Sequence, residues 1–242
     1  MRIAILSDIH ANYHALEATL AAVDADGVDE IWCLGDTVGY GPRPNRCCAV
    51  VAARAALCLA GNHDLAVTGS LSVDEFSGDA AAAARWTREV IEPEPLAFLR
   101  SLEPAASRPG AELYHGSPID PVWDYVLSEA AAFLSFRLTK APLVLVGHSH
   151  VALALSWRDD ALGGGVAAEG AEIDLADGRW LLNPGSVGQP RGGDPRAAWL
   201  LIDDRVRRAT FRRTPYSIER TQAEIRGRGL PEALAVRLAH GV

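Results

Sequence analysis

The sequence predicts an α/β fold through about residue 150, followed by a run of short β segments. Short apolar runs alternate with helix-period segments over residues 3–60, which is the pattern of parallel strands joined by helical crossovers. After Val151 the texture changes to brief β-prone stretches broken by turn signals. A third observation, acids and histidines gathered where apolar strands end, predicts one polar site at the sheet edge.

Residues 3–6 (Ile-Ala-Ile-Leu) read as a buried strand, and residues 13–23 as a helix with Leu16, Leu20 and Val23 on one face. A strand over 31–34, a helix over 45–53 and a strand over 56–60 complete a βαβαβ opening. Residues 77–102 form an Ala-rich helical insertion, with helices over 79–91 and 96–102 broken around Pro93 and Pro95. A strand over 112–114, a helix over 129–138 and a strand over 143–146 follow. The later β segments are 152–157, 171–175, 180–182, 197–203 and 206–213, punctuated by turns at Gly163-Gly164-Gly165 and Asp177-Gly178. The tail is helical over 218–226 and 232–239. No repeat or linker interrupts the 242 residues, so a single domain over 1–242 is expected.

With 49% hydrophobic residues the chain can bury a substantial core, and its formal charge of -8 disfavours nucleic-acid coats and anionic membranes as partners. The basic run Arg205, Arg207, Arg208, Arg212 and Arg213 keeps nucleic acid open as a partner but reads first as a solvated face. The apolar start is too short for a signal core, and no stretch nears the ~20 apolar residues of a membrane span. Cys33, Cys47, Cys48 and Cys58 lack CxxC spacing and read as reduced thiols, so a cytoplasmic location is expected.

The chemistry-bearing residues follow the strands. Asp8-Ile9-His10 closes the first, Gly35-Asp36 the second, Gly61-Asn62-His63-Asp64 the third; His115-Gly116 and Gly147-His148-Ser149-His150 close two later ones. Residues two apart on an extended chain share a side, so Asp8 with His10, and His148 with His150, can point together. Five of the seven histidines fall in these clusters; only His14 and His240 do not. Carboxylate, imidazole and carboxamide donors without thiolates suit Mn, Fe, Zn, Co or Ni.

The set DxH, GDxxGYG, GNHD, HG and GHSH resembles the calcineurin-like metallophosphoesterases over residues 1 to about 190. The segment 183–191, Asn-Pro-Gly-Ser-Val-Gly-Gln-Pro-Arg, is similar to one in their small bacterial and archaeal phosphodiesterase branch. The resemblance implies a four-layer fold, two mixed sheets flanked by helices, with two divalent metal ions at the sheet edge. It assigns Asp8, His10 and His150 to one metal, Asn62, His115 and His148 to the other, and Asp36 as the bridge. Two cations about 4 Å apart share a water, lower its pKa and stabilise an in-line phosphoryl displacement. His63 would be the general acid; Asp64 would orient it or cap the following helix.

Where protein Ser/Thr phosphatases of this family carry Asp-Arg, the chain has Gly39-Tyr40, and it has Asp64 in place of their usual Glu. A small phosphate ester, and a phosphodiester first, is therefore the expected substrate, with Asn12, Tyr40 and Arg191 as contacts. A monoesterase, a nuclease and a non-catalytic scaffold of the same fold are the alternatives, and the oligomeric state stays open.

Overall fold

A computed structural model describes residues 1–76 and 78–242; Ser77, the first residue of the expected helical insertion, lies outside the described residues. Two mixed six-stranded sheets face each other. The first runs, in spatial order, Leu57–Cys58 (β3), Glu30–Cys33 (β2), Arg2–Leu6 (β1), Ala197–Asp203 (β11), Arg208–Thr214 (β12) and Glu172–Asp174 (β9). The second runs Ala105–Arg108 (β4), Ala111–Tyr114 (β5), Leu143–Val146 (β6), Arg179–Pro184 (β10), Ala152–Arg158 (β7) and Ala161–Val166 (β8). Helices Tyr13–Asp26 (α1), Pro44–Arg54 (α2), Asn62–Thr68 (α3), Gly78–Val90 (α4), Pro93–Arg100 (α5), Glu129–Leu138 (α6), Ile218–Gly227 (α7) and Glu232–Val236 (α8) flank them.

The two-residue period of strand β1 builds the layers. Ile3 and Ile5 enter the core between the sheets with Trp32, Leu113, Leu145 and Leu182, while Ala4 and Leu6 face α1 with Leu16, Leu20 and Val23. On the far side, Val144, Val146 and Leu181 of the second sheet pack against Ala132 and Phe136 of α6. Strands β1, β2 and β3 are parallel, as are β5, β6 and β10, so two sets of carboxyl ends carry loops toward one rim.

The expected turn at residues 163–165 is instead part of strand β8. Gly164 adopts φ +97° there, and a Cβ would lie 2.0 Å from the Ala154 carbonyl oxygen, so glycine marks a close strand approach and not a reversal. The sequence also gave no sign of β4, whose four residues are half-buried or exposed. The four cysteines are free thiols, three of them buried. No helix among the described residues is long and apolar enough to cross a membrane.

Candidate metal centre

The loops after β1, β2, β3, β5 and β6 are stitched together by their own backbone. Asp8 N–H donates to Gly35 O (3.0 Å), His10 N–H to Asp36 O (2.9 Å) and Gly147 N–H to His115 O (2.8 Å). Asp8, His10, Asp36, His148 and His150 all hold positive φ, between 49° and 61°, where non-glycine residues are rare. The surrounding glycines make room: a Cβ on Gly61 would fall 2.0 Å from Asp36 Oδ1. Strain of this kind persists only where the fold imposes it, and here it turns buried side chains toward one point.

Hydrogen bonding then fixes which atoms face that point. His10 Nδ1 lies 3.2 Å from Val38 O, His115 Nδ1 2.8 Å from Leu34 O and His150 Nδ1 2.7 Å from Gln189 O. A carbonyl only accepts, so each Nδ1 carries the proton and each Nε2 presents a bare lone pair. His10 Nε2 and His150 Nε2 nevertheless stand 3.0 Å apart, and His115 Nε2 stands 3.2 Å from Asn62 Oδ1. Asp8 Oδ1 lies 3.4 Å from His150 Nε2. Asp36 Oδ2 lies 3.7 Å from His10 Nε2 and 3.6 Å from His115 Nε2, midway between the two groups.

Both Asp8 oxygens, Asp36 Oδ2 and His148 Nε2 are buried without any hydrogen-bond partner. Such clustered acceptors repel one another unless a cation sits among them. Burial pushes the Asp8 carboxyl up to about 7 and Asp36 well above the carboxylate range, with the Asp64 charge adding to the latter. Burial also holds the His10 and His150 imidazoles well below their usual value and His148 down to about 2, so the site resists positive charge on its rings and negative charge on its acids alike. The groups Asp8/His10/His150 and Asp36/His115/His148 each bring three donor atoms within 4.8 Å of one another and could hold a metal ion. The residues fit divalent cations of the borderline kind.

His63, buried at the start of α3, packs between Tyr40 (ring centroids 4.4 Å) and Phe76 (4.9 Å). Gly39, with φ +92°, lies so close that a Cβ would sit 2.4 Å from His63 Nδ1, which has no partner. Burial, then the charges of His115 and Arg191, lower the His63 imidazole to about 3. Of the two roles expected for Asp64, its hydrogen bonds are those of the cap, with none to the His63 ring. Its carboxylate accepts from Gly61 N–H (3.0 Å), Thr37 N–H (3.2 Å) and Val38 N–H (3.0 Å), capping α3 and tying together the loops after β2 and β3.

Asn12, expected as a substrate contact, does not line the cleft that holds Tyr40 and Arg191. It is 1% exposed, accepts from Ala15 N–H at the start of α1 and from Thr221 Oγ1, and donates to Gly188 O. Tyr40 and Arg191 do line the cleft above the acids and imidazoles, a space of about 170 Å³. Arg191 Nη2 donates to Gln189 Oε1 (3.1 Å), its Nε is buried without a partner, and it makes no ion pair among the described residues. Phe76, Trp123 and Tyr125 complete the walls, and Glu75, whose carboxylate accepts from Ser72 N–H, also lines them. None of these four belonged to a motif; Trp123 and Tyr125 in one loop were the only compositional hint. Of the five arginines in the basic run, Arg205, Arg208 and Arg212 pair with Asp29, Glu172 and Asp26, while Arg207 and Arg213 donate to backbone carbonyls.

Comparison with known proteins fits this geometry. The family model of the calcineurin-like phosphoesterase superfamily domain matches residues 1–205. An uncharacterised protein of Methanocaldococcus jannaschii is 36% identical over 244 residues, covering 99% of this chain and 98% of that protein. The crystal structure of a metallophosphoesterase from Sphaerobacter thermophilus superposes with a TM-score of 0.90 at 43% identity, over 100% of this chain and 99% of that one. A hypothetical protein from Pyrococcus horikoshii shares the fold at a TM-score of 0.81 and 20% identity, over 100% and 98% of the two chains.

Proposed function

The chain belongs to the calcineurin-like phosphoesterase superfamily, and from that premise we propose that it is a phosphodiesterase acting on small or nucleotide-like esters at two divalent cations. Asp8, His10 and His150 would hold one cation, Asn62, His115 and His148 the other, with Asp36 shared between them. Bound there, the cations supply Lewis acidity toward phosphoryl oxygens and acidify water at neutral pH.

The chain's own residues do the rest. The Arg191 guanidinium, free of any carboxylate among the described residues, binds the anionic phosphate in a cleft whose buried walls strengthen the attraction. Tyr40 closes one side and keeps the His63 ring in place. His63 Nδ1 is packed against Gly39, so Nε2 is the nitrogen that meets the leaving oxygen. Burial disfavours the charged form of the ring. An anionic ester beside it acts against that burial, so the ring takes up a proton with the substrate and gives it to the leaving alkoxide.

The observation that carries this reading is the pair of acceptor-to-acceptor contacts, Nε2 to Nε2 at 3.0 Å and Nε2 to Oδ1 at 3.2 Å, beside orphaned carboxylate oxygens. The test is hydrolysis of bis(4-nitrophenyl) phosphate and 4-nitrophenyl phosphate by metal-stripped protein with Mn, Ni, Zn or nothing restored. Metal-dependent turnover with the diester preferred is the expected result. Turnover without metal overturns the cation assignment, and monoester preference overturns the diesterase reading.

A further inference from the structure

The cleft has two unlike ends. At one, His63 packs with Tyr40 and Phe76. At the other, Tyr125 stacks on His148 at 4.0 Å and 19° between planes, with Trp123 at 6.4 Å from the same imidazole. Phe76 and Trp123 meet across the rim at 5.1 Å. Tyr125 is 44% exposed although one face of its ring is covered by His148, so its other face is open. An exposed tyrosine whose ring is stacked on a buried imidazole is a preformed flat surface, and ordering it costs little when a ligand arrives.

We propose that Tyr125, with Trp123 beside it, is the platform for the ester group that stays on phosphorus, and that the substrate is a phosphodiester monoanion whose retained group is a flat aryl or heteroaromatic ring. The inference rests on the phosphodiesterase reading above and deepens it. Hydrolysis forms a bond from a water oxygen to phosphorus and breaks the bond to the leaving oxygen, which takes the proton from His63; the water's released proton goes to solvent, from which His63 is reprotonated. The second ester bond is untouched, and the products are an alcohol and a monoester. With the leaving oxygen at the His63 end, the retained group projects toward His148 and therefore over Tyr125. A space of about 170 Å³ takes the phosphate and its near atoms, leaving the ring to lie on the rim.

Two arms test this on the metal-loaded protein. Calorimetry compares diphenyl phosphate with dimethyl phosphate, both monoanions with poor leaving groups. Wild type is expected to bind the diphenyl ester about tenfold more tightly, Tyr125→Phe to keep that ratio and Tyr125→Ala to bring it near one. In turnover, bis(4-nitrophenyl) phosphate is compared with methyl 4-nitrophenyl phosphate, which shares its leaving group. Their KM ratio is expected to collapse in Tyr125→Ala by the same factor. A ratio that survives Tyr125→Ala in either arm, or no preference for the aryl ester in wild type, overturns the platform. Absent turnover of every ester would instead remove the diesterase reading, with the calorimetric ratio still deciding for or against Tyr125.

Discussion

The floor and the rim of the cleft are built on opposite principles. The floor is a set of buried acceptors held by strained backbone, with five residues at positive φ and four orphaned atoms. The rim is aromatic, half-exposed and strain-free apart from Tyr40, and its contacts are ring against ring. A floor of this kind is stable only with something cationic in it, so each of its residues affects every substrate. A rim of this kind sorts substrates and leaves the chemistry alone. Substitutions can break that division or sharpen it.

The largest effect is expected at Asp36. Asp36→Asn replaces the only carboxylate oxygen among the described residues that lies within 3.7 Å of both His10 Nε2 and His115 Nε2, and turnover should fall by at least about 10³-fold with metal content by elemental analysis reduced. Full occupancy with full activity would remove Asp36 from the centre. His63→Ala should cost about 10²–10⁴ in kcat with metal content unchanged, as for loss of a general acid. An equal loss of metal and rate would make His63 a ligand, a role its closeness to His10 and Asp36 allows.

Asp64 divides the floor from its frame. Asp64→Asn sets an amide N–H against one of three backbone N–H groups that the carboxylate now accepts. About 1–3 kcal/mol of stability should go, a drop of several degrees in Tm, with kcat lowered only as far as the loops loosen. An unchanged Tm with kcat lost would restore Asp64 to the chemistry.

What the sequence disclosed follows the same division. The floor was readable because its residues sit two apart or adjacent just past the ends of apolar strands, where strand order gathers them on one rim: Asp8 with His10, His148 with His150; the direction of each side chain comes instead from positive φ, which alternation does not foretell. The second sheet was less so; β4 is too short and too exposed to leave a period, and the glycines of β8 look like a turn until Ala154 is seen pressing on them. The four-layer arrangement came from family resemblance and not from the residues. Phe76, Trp123 and Tyr125 reach the cleft from loops without periodicity, so only the folded chain brings them to His63 and His148. Their positions depend on contacts far apart in sequence.

Asn12 tests the boundary at its finest. Two residues beyond His10, an asparagine suits a substrate contact and an N-cap equally, and the sequence holds nothing to separate them. Folded, its carbonyl oxygen serves Ala15 N–H and Thr221 Oγ1 while its amide serves Gly188 O. Asn12→Ala should therefore cost about 1–2 kcal/mol of stability, the loss of a cap and its ties, with KM for the diester unchanged. A rise in KM with Tm intact would return Asn12 to the cleft. The expected outcome keeps it in the frame, where it joins the loop carrying His10 to α1 and, through Gly188, to the loop carrying Arg191.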